Sequence, residues 1–183
     1  MDPLSPETRA SSGAPDEALN QFVVFKLGGN EFAVAIEQVQ EILVLGPVAR
    51  VPKTPGFIEG IINVRGKIIP VLNLRKRLEI AGAARDQDAR IIVAEVDEQT
   101  VGMIVDLVTE VVKLPVSGLE PPPPLITTVS PRFVTSVGKL DGRILVILNL
   151  DRILSPEEMS ELRATTGARA GSHESATAPT PSA

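Results

Sequence analysis

The sequence predicts a mostly β protein built as two small barrels, and three observations support this prediction. Of the 183 residues, 43% are hydrophobic but only 3% are aromatic, so the core must be built from Val, Ile and Leu. β-Branched side chains fit the pleated surface of a strand. Short apolar runs alternate with hairpin turns. The chain also repeats itself, which favours two small barrels over one large sheet.

The repeat consists of two pairs of aligned segments. These are Phe25–Leu45 with Ala94–Leu114 at an offset of 69, and Gly66–Leu78 with Gly142–Leu154 at an offset of 76. On these offsets Glu41 meets Glu110 and Asn73 meets Asn149. Two copies of one small unit indicate two similar lobes with a groove between them. Neither copy carries a set of catalytic residues, so the repeat points to a binding module.

Hairpins make up most of the predicted structure. The strand pairs are Gln21–Leu27 with Glu31–Ile36, Gly60–Val64 with Lys67–Leu72, Arg90–Val96 with Val101–Val105, and Phe133–Leu140 with Arg143–Leu148. Turn residues such as Gly28-Gly29 and Asp141-Gly142 tolerate the positive φ angles of a tight hairpin. The segment Leu107–Lys113 fits a strand and a helix equally well.

Helical signals are few and short. Apolar residues recur at helical spacing within Glu37–Val44 and predict a short helix there. Asn73 and its repeat partner Asn149 can each cap a helical turn. Ser155-Pro156-Glu157-Glu158 has the form of a capping box, which predicts a final helix over Pro156–Ala164.

The two ends of the chain differ from the middle in composition. Residues 1–19 and 165–183 are rich in Ser, Pro, Ala and charged residues, so we expect both to be disordered and the folded domain to span 20–164. Residues 1–20 contain no apolar run of the kind found in a signal peptide. No apolar stretch reaches the ~20 residues of a spanning helix, so we expect a soluble, cytoplasmic protein.

Charge and composition exclude several classes of function. The net charge is −5 and the only basic cluster is Arg75-Lys76-Arg77, which disfavours nucleic-acid binding. There is no cysteine, and the single histidine, His173, lies in the polar tail. Thiol nucleophiles, thiolate zinc sites and histidine-based triads are therefore excluded. We expect no metal and no cofactor.

A few residues stand out as candidates for function, each with a structural alternative. Arg65 occupies the turn position that Asp141 fills in the second copy, and Arg is poorly suited to positive φ. It serves either a partner or an unstrained type I turn with a bulge at Gly66. Val39 and its repeat partner Val108 are either core or groove residues. Gly60 allows a bend or close packing.

Taken together, these segments resemble the CheW family of chemotaxis coupling proteins over residues 20–163. The landmarks are QFVVFKLGGNEFAVAIEQVQEI, TPGFIEGIINVRGKIIPVLNLRKRL, VGMIVDLVTEVVKL and GRILVILNLDRIL. The resemblance implies two intertwined SH3-like β-barrels with short helices and no enzymatic activity. It further implies an adaptor that joins the cytoplasmic tip of a chemoreceptor to the regulatory domain of the histidine kinase CheA, at the inner face of the membrane and without inserting into it.

The resemblance also implies which residues contact a receptor. The matching positions are Val39, Glu41, Gly60, Arg65, Val108 and Val111. Contacts with the kinase are expected at the turns that end the two barrels, without assignment to particular residues. The alternative function is a similar adaptor for a different CheA-type kinase, in a chemosensory pathway that controls pili or development.

Overall fold

A computed structural model describes residues 18–82, 87–124 and 129–172, with side chains up to residue 166. The strands are β1 (Leu19–Leu27), β2 (Asn30–Ala35), β3 (Val39–Val44), β4 (Ile58–Val64), β5 (Lys67–Asn73), β6 (Arg90–Val96), β7 (Gln99–Val105), β8 (Leu107–Pro115), β9 (Leu119–Glu120), β10 (Val134–Leu140) and β11 (Arg143–Leu148). The helices are α1 (Leu74–Arg77) and α2 (Pro156–Ser172). The disorder expected over 1–19 is wrong at Leu19, where β1 begins, and residues 1–17 lie outside the described residues.

The strands form two sheets that exchange parts of the repeat. One sheet has the order β8-β1-β2-β11-β10-β9 and the other has the order β3-β6-β7-β5-β4. We call them barrel 1 and barrel 2. Barrel 1 combines the hairpin β1-β2 of the first copy with strands β8 to β11 of the second copy. Barrel 2 combines the hairpin β6-β7 of the second copy with strands β3 to β5 of the first copy. The barrels are therefore intertwined, which confirms the predicted mostly β fold of two small barrels.

The registers of the two barrels correspond residue by residue. Val39 pairs with Ala94 in barrel 2, while Val108 pairs with Phe25 in barrel 1. The offset of 69 relates these two pairs to each other. In both barrels the chain that follows the exchanged strand closes the sheet: Ala49 bridges to β4, and β9 pairs with β10. The sequence repeat is thus a repeat of structure.

Three apolar cores fill the molecule. The interior of barrel 1 contains Phe22 and Val24, and the interior of barrel 2 contains Ile91 and Val93. Alternate residues of the same strands point the other way, into a central core shared by both barrels. Its largest fully buried members include Phe25, Phe32, Leu72, Leu74, Ile92, Met103, Leu150 and Ile153. The two barrels are therefore parts of one packed unit.

The helix predicted over Glu37–Val44 is wrong. Only Ile36–Gln38 forms a 3-10 turn, and β3 follows it. A β-bulge between Val39 and Glu41 inserts one extra residue into the strand. Val39 and Ile42 consequently share a face although they are three positions apart, which imitates helical spacing. A bulge at the same place in β8 explains why Leu107–Lys113 was ambiguous between helix and strand.

The predicted caps are confirmed, whereas the end of the last helix is corrected. The Asn73 side chain accepts a hydrogen bond from Lys76 N, and the Asn149 side chain accepts one from Asp151 N. Helix α2 continues past Ala164, so that residues 165–172, expected to be part of a disordered tail, are helical. Within this continuation the hydroxyl of Thr165 donates to the carbonyl of Glu161, four positions earlier. The remainder, 173–183, lies outside the described residues.

Candidate functional site: an apolar rim and a charged turn

The central core reaches the surface along the two exchanged strands. On β3, Ile42 pairs with the buried Ile92, and on β8, Val111 pairs with the buried Val23. Directly paired residues lie on the same face of an antiparallel sheet. Ile42 and Val111 therefore extend the central core outwards, yet they remain 40% and 53% exposed.

Val39 and Val108 lie deeper on the same faces. Both are half-buried and pack against the central core. These valines stabilise the core and border its exposed edge, so the core interpretation is supported, while the groove interpretation stays a prediction. We call the set of Val39, Ile42, Val108 and Val111 the apolar rim. The sequence repeat had aligned Ile42 with Val111, but Ile42 was not among the predicted contacts.

Arg65 lies beside this rim in the turn between β4 and β5. Arg65 has φ 51° and Gly66 has φ 85°, as in a type I′ turn, so the unstrained alternative is wrong. An Arg in this region costs roughly 1–2 kcal/mol. Its Nη2 donates to Glu41 Oε2 at 3.0 Å, while 81% of the Arg65 side chain remains exposed. A strained, exposed arginine next to an apolar surface is a candidate binding residue.

The equivalent end of barrel 1 carries a different arrangement of charges. Arg143 donates to Glu31 Oε1 and to Glu110 Oε1, each at 2.8 Å. The hydrogen bond to Glu110 and the charge of Glu31 raise the pKa of Arg143 above its ordinary value. The turn itself holds Asp141, with φ 49°. Sequence reasoning missed Arg143, since its two partners are distant along the chain.

Gly60 has a structural role rather than an exposed one. It is buried within β4 and has φ 149°. A Cβ atom there would lie 2.0 Å from the carbonyl oxygen of Ala49, the residue whose bridge to Ile61 closes barrel 2. Of the interpretations offered by the sequence, the structure favours close packing. Gly60 shapes β4 and presents no side chain to a partner.

A large cleft among the described residues lies elsewhere. It has a volume of about 700 Å³ and contains none of the predicted contact residues. Arg75, Lys76, Glu59 and Asp106 line it, and they are joined in ion pairs as Arg75–Asp106 and Lys76–Glu59. The set includes no nucleophile paired with a base. No group of three or more metal-ligating side chains occurs among the described residues.

Within the described part of the chain, no helix is both long enough and apolar enough to span a bilayer.

The architecture defines a class: a domain of two intertwined small barrels with an exposed apolar rim. A family model for the CheW-like domain matches residues 21–158. The chain belongs to the CheW-like family. Its residues 25–45 and 66–78 are the parts of that domain which recur in the second half of the chain.

Relatives and a solved structure agree with this assignment. The chain is 34% identical to Chemotaxis protein CheW of Klebsiella aerogenes over 140 residues, covering 76% of this chain and 84% of that protein. It is 33% identical to that of Thermotoga maritima, covering 79% and 95%. The crystal structure of the scaffolding protein TtCheW from Thermoanaerobacter tengcongensis aligns with a TM-score of 0.72 at 38% identity, covering 77% and 91%.

Proposed function

We propose that the protein is a non-catalytic adaptor that couples chemoreceptors to the histidine kinase CheA. The single observation that carries this proposal is the apolar rim with the strained Arg65 beside it. An amphipathic receptor helix could lay its apolar face along Ile42 and Val111, as in helix-in-groove recognition. Membership of the CheW-like family supports this assignment of partners.

Arg65 suits the edge of such a contact because of its chemistry. A guanidinium presents a planar fork of donors that matches a carboxylate or a pair of carbonyl oxygens. One donor is held by Glu41, which also sets the direction of the fork. The rest of the side chain is exposed. Contact with the apolar rim and with Arg65 together would fix both the position and the direction of a receptor helix.

Kinase contacts are proposed at the turns that end the two barrels. Among the described residues four tight hairpin turns carry positive φ angles, and the three other than the Arg65 turn are Gly28-Gly29, Asp97-Glu98 and Asp141-Gly142. Such turns are rigid and project from the barrel ends, so a partner can contact them without disturbing either barrel. The kinase and the receptor would then use different parts of the surface.

A second candidate function is an adaptor of another chemosensory pathway, with a different CheA-type kinase. One relative favours keeping it: the chain is 32% identical over 117 residues to Protein FrzA of Myxococcus xanthus, covering 60% of this chain and 73% of that protein. The fold and the apolar rim fit both candidates equally well. Only the partners distinguish them.

Titration calorimetry tests the proposal. The protein would be titrated with the regulatory domain of a CheA from the same genome and, separately, with a receptor-tip fragment. We expect binding to both. Binding to neither would reject the adaptor role, and binding only to another CheA-type kinase of that genome would favour the second candidate.

Variants extend the test to the site. Arg65→Ala should weaken receptor binding by about tenfold, as expected for an arginine at the edge of an apolar contact. Arg50→Ala is the matched control, because Arg50 is also an exposed arginine but lines the separate cleft, which contains none of the predicted contact residues. Equal affinities for the two variants would contradict the placement of the receptor site.

A further inference from the structure

The guanidinium of Arg77 is sandwiched between two aromatic rings. Its Cζ lies 4.4 Å from the centroid of Phe57 and 5.3 Å from that of Phe133. Only 10% of the side chain is exposed. Such stacking suits a guanidinium because it is planar and weakly hydrated.

All three nitrogens of the Arg77 guanidinium donate hydrogen bonds. Nε donates to the carbonyl oxygen of Ile153 at 2.6 Å. Nη1 and Nη2 donate to the two carboxylate oxygens of Glu158, at 3.0 and 2.8 Å. Glu158 also accepts from the backbone of Ser155 as part of the capping box of α2. One side chain therefore joins α1, the chain after β11 and the start of α2.

The repeat gives this position a particular meaning. At the offset of 76, Phe57 aligns with Phe133 and Arg77 aligns with Ile153. Phe57 and Phe133 also accept equivalent backbone hydrogen bonds, from Asn73 and Asn149, both at 2.7 Å. Arg77 thus contacts matching residues of both copies and its own counterpart. It lies where the two copies of the repeat meet.

The physical role of such a contact differs from that of the apolar core around it. Apolar burial is strong but has no preferred direction, so Leu, Ile and Val side chains tolerate small shifts. A forked ion pair and a stacked guanidinium have strict geometry. Replacing a buried ion pair with apolar groups is often neutral for stability. Arg77 is therefore expected to affect the relative orientation of the two barrels rather than the stability of the fold.

We propose that Arg77 is a positioning residue that fixes how the two barrels sit against each other and thereby shapes the apolar rim between them. The part of this statement that concerns binding rests on the proposed function. The part that concerns orientation does not.

Spin-label distance measurements test the orientation. The chain has no cysteine, so labels can be placed at Glu95→Cys in barrel 2 and Lys113→Cys in barrel 1 without removing any thiol. Both positions are exposed strand residues outside the central core. The double substitution Arg77→Met with Glu158→Gln removes the ion pair without leaving an unpaired carboxylate. Arg77→Lys provides a second variant, which keeps the charge but loses the fork.

Arg132→Gln is the matched control. Its guanidinium also stacks on Phe133, at 4.4 Å, but Arg132 lies in the same copy as that ring and is exposed. We expect both Arg77 variants to broaden the distance distribution between the labels, with Arg132→Gln leaving it unchanged. The unlabelled Arg77 variants should bind the receptor-tip fragment roughly fivefold or more weakly, with little change in the urea midpoint of unfolding.

Two results would overturn the proposal. An unchanged distance distribution would show that Arg77 does not set the orientation, whatever the effect on unfolding. A broader distribution with unchanged receptor affinity would show that the orientation does not shape the rim. If the unaltered protein does not bind the receptor fragment, the proposed function fails, while the distance distribution still decides whether Arg77 positions the barrels.

Discussion

The turn ends of the two barrels are built from matching positions, but different residues neutralise the carboxylates of their strands. In barrel 1 a single side chain, Arg143, pairs with both Glu31 and Glu110. In barrel 2 two different side chains make the corresponding contacts. Lys67, which aligns with Arg143, donates to Thr100 at 3.0 Å, and Arg65 pairs with Glu41 from the turn. The equivalent turn of barrel 1 holds Asp141.

The difference shows that the fold does not require an arginine in the turn. Barrel 1 neutralises its strand carboxylates from within β11 and leaves the turn to a residue that tolerates positive φ. Barrel 2 places its cation in the turn at a cost in backbone strain, and an exposed ion pair returns only about 0–1 kcal/mol. Folding alone gives little reason for this choice, whereas a partner that contacts Arg65 would.

The largest expected effect concerns Gly60, which aligns with Ser136 of barrel 1. Gly60→Ala should lower the free energy of unfolding by about 3 kcal/mol, because the new Cβ would meet the Ala49 carbonyl and φ is positive. Urea denaturation followed by circular dichroism measures this. Ser136→Ala is the control and should change stability by less than about 0.5 kcal/mol. A Gly60→Ala protein of normal stability that fails to bind a receptor would contradict the structural role.

The second prediction separates the two depths of the apolar rim. Val39→Asp should destabilise the fold by about 2 kcal/mol, since a carboxylate would replace a side chain packed on the central core. Val111→Asp should change stability by less than about 0.5 kcal/mol, because Val111 is more than half exposed. Both should weaken receptor binding in calorimetry. Normal receptor affinity of Val111→Asp would remove β8 from the site.

The third prediction tests the charge arrangement itself. Arg143→Gln should lower the melting temperature more than Lys67→Gln does, because it leaves two facing carboxylates unpaired. Added salt should narrow this difference by screening their repulsion. Because folding raises the pKa of Arg143, its contribution to the stability of the fold is complete below the pKa of the unfolded state. That contribution is lost only as pH rises through the still higher pKa of the folded state. The effect should therefore persist into mildly alkaline solution, and its disappearance there would contradict the pairing.

Much of the fold could be predicted because local chemistry determines it. Hairpin turns, the caps at Asn73 and Asn149, and the capping box at Ser155 each depend on a few neighbouring residues. The exchange of strands was predicted only by the family resemblance and not by the residues themselves, since the apolar pattern of β3 fits either sheet. The bulges in β3 and β8 also altered the side-chain period that distinguishes a strand from a helix.

The candidate site was predictable in part, for the same reason. Arg65 stood out because a residue type disagreed with its turn, which the sequence displays directly. Its pairing with Glu41 joins residues 24 positions apart and became visible only in the folded barrel. Arg143 and Arg77 escaped notice because they pair with residues distant along the chain: Glu31 lies 112 positions from Arg143, and Ile153 lies 76 positions from Arg77.

The most direct test of the central claim compares Arg65→Gly with Asp141→Gly. Glycine relieves the strain at both turns, so neither variant should be less stable, and each should gain up to about 1 kcal/mol. Calorimetry with a receptor-tip fragment should then show about tenfold weaker binding for Arg65→Gly and unchanged binding for Asp141→Gly. Equal affinities for the two variants would contradict the claim that barrel 2 keeps its turn arginine for a partner.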